Sequence, residues 1–151
     1  MDYDLLKAQL QGFAEADGWY VPLMANAAAL LFETLTDVNW AGFYLLRGER
    51  LVLGPFQGKV ACIHIPLGKG VCGTAAQRDE TQLVPDVHAF PGHIACDSAS
   101  NSELVVPIHR HGAVVAVLDI DSPVPDRFSE ADRAGMEALV KVLEAHIEMD
   151  V

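Results

Sequence analysis

The segment ELVVPIHRHGAVVAVLDIDSP, residues 103–123, narrows the fold more than any other. Two apolar runs meet at a polar turn near His111 and Gly112, which predicts a β-hairpin. Along AVVAVLDIDSP the two-residue period of a strand puts Val115, Val117, Asp119 and Asp121 on one face, with Ala116, Leu118 and Ile120 on the other. Asp121 also reads as the opening of the turn before Pro123. Asp119 stands inside an apolar run, where a carboxyl must be hydrogen bonded, paired or neutral. Glu103 begins the partner strand and is expected to converge on the same spot. Three acids around one pocket suit an amine-bearing ligand, and their mutual repulsion would keep one of them protonated at neutral pH.

The remaining elements follow from periodicity. DYDLLKAQLQGFAEA and, past a break at Pro22, LMANAAALLFETLT carry apolar residues at helical spacing. NWAGFYLLRGERLVLGPFQG reads as two strands around Gly48 and Glu49, and ACIHIPL as a third. A short helix at GTAAQ and an apolar run at TQLV precede a connection over residues 85–101, a length that is usually functional or disordered. SEADRAGMEALVKVLEAHIEM closes as a helix, with Ser129 and Asp132 spaced as a capping box and Met136, Leu139, Val140, Leu143 and Ile147 in one stripe. The order predicts an α+β domain: a central antiparallel sheet of about six strands, terminal helices on one face and a long active-site loop.

At 151 residues and 51% hydrophobic, the chain is expected to form one domain over 1–151. A net charge of −11 opposes any phosphate backbone, which excludes nucleic acid and anionic membrane surfaces as expected partners. MDYDLLKAQL lacks a basic n-region followed by an apolar h-region, so a cytoplasmic location is expected. Alanine-rich surface on the first two helices suits either intrachain packing or a homodimer.

Three cysteines without C-x-x-C spacing disfavour a structural zinc site and leave buried thiols or redox chemistry. Cys62, in the alternating ACIHIP, reads as a half-buried strand residue and so as a candidate inert core thiol. Cys72 follows a glycine loop at the start of a helix, where unpaired amides and the macrodipole would favour a thiolate. Cys96 lies between PGHIA and DSASNS, in a turn-rich segment expected at the surface. At least one cysteine is thus expected to meet solvent or a ligand.

In NWAGFYLL, Trp40, Gly42 and Tyr44 share one strand face, with Ala41 and Phe43 opposite. Trp40 and Tyr44 read as core, or as walls for a small apolar or soft group, since aromatic rings make favourable contacts with sulfur. His64, His109 and His111 have no metal-ligand spacing and read as structural or solvated, while His88 and His93 sit in the long connection and could assist chemistry.

NWAGFYLL, LGPFQGKVACIHIPLGKGVCGTAA, DVHAFPGHIACDSASNSELVVPI and VLDIDSP together resemble the signature blocks of the free methionine-(R)-sulfoxide reductases, a catalytic branch of the GAF-domain fold. The resemblance is dense over residues 39–123 and includes all three cysteines in order. It implies reduction of free L-methionine-(R)-sulfoxide with Cys96 as nucleophile, passing through a sulfenic acid, and Cys62 as resolving thiol. It further implies recycling by thioredoxin or a similar dithiol, with Cys72 as an auxiliary recycling thiol. Glu103, Asp119 and Asp121 would bind substrate, Trp40 and Tyr44 would wall its methyl group, and Glu103 or Asp121 would protonate the sulfoxide oxygen. No metal or organic cofactor is implied. The other class open to such a fold is a small-molecule or redox sensor, in which the cysteines pack passively or act as a switch.

Overall fold

The change of apolar period near Asn39 is where the chain passes from helices into its sheet. In this computed structural model, which describes residues 1–93 and 99–149, the chain begins with α1 (Tyr3–Ala16) and α2 (Tyr20–Thr34). There follow β1 (Trp40–Arg47), β2 (Arg50–Gly58), β3 (His64–Pro66), α3 (Gly70–Arg78) and β4 (Gln82–Val84). A short 3-10 turn at Val87–Ala89, β5 (Ser102–Arg110), β6 (Ala113–Ser122) and α4 (Glu130–His146) complete it. The six strands lie in the order β3-β2-β1-β6-β5-β4, antiparallel at every pairing. No helix among the described residues is long and apolar enough to cross a membrane.

The sheet separates two apolar clusters. On one face α1, α2 and α4 bury Leu6, Leu23, Met24, Met136, Leu139 and Leu143 against Ala41, Phe43, Leu104, Leu118 and Ile120. On the other, α3 lies over Trp40, Tyr44, Val105 and Val117. The alternation of β1 and β6 therefore assigns faces as expected. Val115 departs from it and packs on the helix-side cluster. The ladder steps from Ile108–Ala116 to His109–Val114, so Val115 is an extra residue in a bulge and the two-residue count fails beyond it.

Local chemistry explains the boundaries. His111 and Gly112 have φ of 54° and 79°, the two left-handed positions of a tight hairpin turn whose twist matches that of β5 and β6. Pro107 lies past the end of β4, which pairs only with Glu103–Val105, so its missing N–H removes no ladder bond on that side. Pro22, expected to break a helix, instead lies in the first turn of α2, where its N–H would have no partner. At α4 the capping box forms: the Ser129 side chain accepts from the Asp132 amide while Asp132 accepts from the Ser129 amide. Tyr3 donates to Asp132 Oδ1 at 2.5 Å, joining α1 to this helix start.

Within the long connection, the Val87 amide donates to the Asn101 carbonyl at 2.9 Å, and the Asn101 amide to the Ser122 carbonyl at 2.7 Å. Both ends of the segment are thereby fixed to the rim of the sheet. Cys96 and Asp97 lie outside the described residues.

Candidate active site

Strand register assembles the acids. Trp40 of β1, Asp121 of β6 and Glu103 of β5 stand in one row across three adjacent strands, and Gly42, Asp119 and Val105 form the next row. Side chains two residues apart share a face, so Glu103, Asp119 and Asp121 converge although sixteen and more residues separate Glu103 from the other two. They line a pocket with Trp40, Tyr44, Ala61 and Ile65, closed from above by Lys69–Cys72 at the start of α3 and from the side by His93 and Ser100.

The aromatic wall is a stack of three rings. Trp40 lies over Tyr44 with centroids 5.8 Å apart and over Phe56 at 5.2 Å, both nearly parallel. Gly42 and Gly58 make the room: a Cβ on Gly42 would stand 2.8 Å from the Trp40 ring, and one on Gly58 2.7 Å from it. Trp40 Nε1 donates to the Lys59 carbonyl at 3.1 Å and the Tyr44 hydroxyl to the Cys62 carbonyl at 3.3 Å. Both aromatics are buried, so they serve as core and as pocket wall together. They also hold residues 59–62 at the mouth of the pocket.

That segment carries Cys62, which precedes β3 instead of lying on a strand. It is not an inert core thiol, because it is disulfide-bonded. Its neighbours Val60 and Ile63 are 88% and 62% exposed, leaving an apolar approach to it from solvent.

Cys72 is a free thiol, and the structure reverses the expectation made for it. It is 4% exposed, and burial together with the negative charges of Asp119, Glu103 and Asp121 pushes its thiol well above the ordinary range. The helix start favours a thiolate, but desolvation beside three acids outweighs that effect. Its Sγ lies 3.8 Å from Glu103 Oε2.

Asp119 sits one row further along the sheet face from the Glu103–Asp121 pair and is 5% exposed. Burial first, then the charges of Asp121 and Glu103, hold its carboxyl well above the usual carboxylate range. Of the three acids, Asp119 is the one whose carboxyl burial and neighbouring carboxylates push up most clearly. Tyr44 is pushed up by burial and by the same acids, and stays a hydrogen-bond donor.

Of the histidines, His93 lines the pocket, while His88 pairs with the exposed Asp86 and touches His93 edge to face. His109 is structural: its two ring nitrogens lie 2.5 Å from Asp79 and 2.6 Å from Glu144, tying the end of α3 to α4. Phe56, Lys69 and Ser100 belong to the site without having been read from the sequence. Phe56 joins Leu51 and Leu53 on the pocket side only because the β1–β2 register shifts between Gly42 and Tyr44, which simple alternation along β2 does not show, and nothing local marks Lys69 or Ser100.

This sheet, with an acid pocket under the start of a short helix, defines a class. The chain belongs to the GAF domain family, whose profile matches residues 22–147. It is 57% identical over 125 residues to the free methionine-R-sulfoxide reductase of Escherichia coli, covering 83% of this chain and 76% of that protein. It superposes on fRMsr of Staphylococcus aureus in its reduced form with a TM-score of 0.94 at 50% identity, covering 97% of this chain and 96% of that one. The free methionine-R-sulfoxide reductase from Neisseria meningitidis in complex with its substrate gives 0.92 at 42% identity, over 95% and 87%. Within the GAF family the chain thus belongs to the free methionine-R-sulfoxide reductases, and it is an oxidoreductase.

Proposed function

We propose that the chain reduces free L-methionine-(R)-sulfoxide to L-methionine, with Cys96 as nucleophile and Cys62 as resolving thiol. The observation that carries this reading is the disulfide-bonded Cys62, held by the Tyr44 hydroxyl at the mouth of a pocket floored by three acids. The substrate ammonium is drawn to Glu103, Asp119 and Asp121. Its carboxylate meets the Lys69 side chain and the Val71 and Cys72 amides of the first turn of α3, since the Lys69 and Gly70 amides already donate to the Pro66 and Gly92 carbonyls. Its methyl group rests against Trp40 and Tyr44.

A sulfoxide accepts a nucleophile only once its oxygen is protonated or strongly hydrogen bonded. The Asp119 carboxyl, held well above the usual range, favours retention of a proton in the acid cluster, and Glu103 or Asp121 beside it delivers that proton to the oxygen. The Cys96 thiolate attacks sulfur, methionine leaves, and Cys96 becomes a sulfenic acid. The Cys62 thiol displaces water from it and forms the disulfide, which thioredoxin or a similar dithiol returns to two thiols. Exposed Val60 and Ile63 beside Cys62 give such a donor an apolar place to approach. Cys72, buried and free in the pocket wall, supports recycling. The reading includes a single catalytic domain, a cytoplasmic location and a homodimer, the last measurable by sedimentation.

The test is a turnover assay with a dithiol reductant on free R and S epimers of methionine sulfoxide and on an N-blocked R substrate. Methionine from the free R epimer alone is the expected result. Equal turnover of the blocked substrate would remove the acids from their role, and no turnover by reduced protein would overturn the proposal.

A further inference from the structure

Cysteine spacing gives no hint of a metal site, but folding brings together donors that are remote in sequence. Cys72 Sγ and one carboxylate oxygen each from Glu103 and Asp119 lie within 4.8 Å of one another. We propose that these three residues form a binding site for a borderline-soft divalent cation, zinc above all, which occupies the acid pocket and so inhibits the enzyme reversibly.

Three observations carry the site. A tetrahedral zinc bound by one thiolate and carboxylate oxygens holds sulfur and oxygen about 3.6 Å apart. Cys72 Sγ and Glu103 Oε2 are already 3.8 Å apart, close to that spacing, and Asp119 must draw in from within 4.8 Å of both. Asp119 is 5% exposed and its Oδ1 accepts no hydrogen bond from any described residue, which leaves a buried acceptor directed into the pocket and suited to a cation. The donor set then selects among cations. Calcium and magnesium prefer six or more oxygens, whereas one sulfur with two carboxylates matches zinc and cobalt.

Three protein ligands leave a fourth position open to the pocket, the arrangement of a site that can hold water or be displaced. On binding, the Cys72 thiol releases its proton to solvent and a metal–sulfur bond forms, with no change of oxidation state. The metal stands where the proposed substrate ammonium stands. Only this competition rests on the reductase reading; the binding site itself does not.

Cobalt(II) is the reporter, because a cobalt–thiolate bond gives an intense charge-transfer band that carboxylates alone do not. In the double variant Cys62→Ser/Cys96→Ser, Cys72 is the only thiol. One cobalt per chain with the thiolate band, displaced by one equivalent of zinc, is the expected result. Cys72→Ser loses the band, and Asp119→Asn and Glu103→Gln each raise the cobalt Kd about 10-fold or more. A band that persists in Cys72→Ser, or no band in the folded double variant, overturns the site. Should Cys72→Ser fail to fold by circular dichroism, Glu103→Gln decides, since it keeps the sulfur, and an unchanged Kd there overturns the proposal. Added free methionine sulfoxide is expected to release the cobalt. Cobalt that binds as described but is not released upholds the metal site and places the failure in the substrate reading.

Discussion

Two buried acids of this protein behave in opposite ways. Asp132, 8% exposed at the start of α4, accepts from Tyr3 and from Ser129 and lies 3.3 Å from Arg127. Burial opposes its charge, but these donors prevail and hold its carboxyl below the usual range. Asp119, 5% exposed on the other side of the sheet, faces two more acids and is held well above it. Donors and a guanidinium favour the charged form of Asp132, whereas deeper burial and two neighbouring carboxylates oppose that of Asp119. The helix side satisfies its acid within the fold, and the pocket side leaves that satisfaction to a ligand.

The largest expected effect tests whether the chemistry belongs to the pocket side alone. Cys96→Ser lowers turnover by more than about 10³-fold while calorimetry still registers binding of free methionine sulfoxide. Retained turnover would detach the nucleophile from this pocket.

Adjacent residues of β6 then separate stability from catalysis. Leu118→Ala removes a fully buried side chain from the helix-side cluster and costs about 2–5 kcal/mol in urea unfolding. Asp119→Asn lowers kcat/KM about 10²-fold or more without that loss of stability. The same pattern from both substitutions would erase the distinction between the faces.

The two acids also differ in the sign of their pH dependence. The folded-state pKa of Asp132 is depressed, so its contribution is present above the unfolded value near 3.8 and is lost as pH falls through the folded value. Asp132→Asn should therefore cost about 1–3 kcal/mol at pH 7, with the gap closing in acid. The folded-state pKa of Asp119 is raised, so its ionisation weakens the fold as pH rises from about 4 towards that pKa. Asp119→Asn gains on the wild type over that window. Urea midpoints at pH 4 and pH 7 shifting in the same direction for both variants would break the comparison.

The smallest effect concerns His109. Partial burial lowers its pKa, but hydrogen bonds to Asp79 and Glu144 outweigh this and raise it. Its contribution is full below about pH 6.5 and disappears as pH rises through the folded value. His109→Gln should lower Tm by less than about 4 °C at pH 6, and by less still at pH 9.

Much of this was legible beforehand, wherever the deciding interaction was local or periodic. The capping box at Ser129 needs only residues three apart, and the hairpin turn only the tolerance of His111 and Gly112 for positive φ. The alternation of β6 gave the correct faces for Asp119 and Asp121. Reading failed where a tertiary partner decided. Pro22 sits in the first turn of α2 because a proline there loses nothing, while Val115 changes face because a bulge changes the count. Cys72 looked like an activated thiol by its place on a helix, and the acids of β5 and β6 made it the reverse.

The sequence by itself determined most of the elements, the two faces of β1 and of β6 beyond its bulge, and the family. Those follow from φ preferences and apolar period, which act within a few residues. Only the tertiary structure decided that Glu103, Asp119 and Asp121 share a pocket with Cys72, that the Asp119 carboxyl is pushed up, and that the Asp132 carboxyl is held down. Protonation depends on solvent access and on charges a few ångströms away, and both are set by strand register across the sheet.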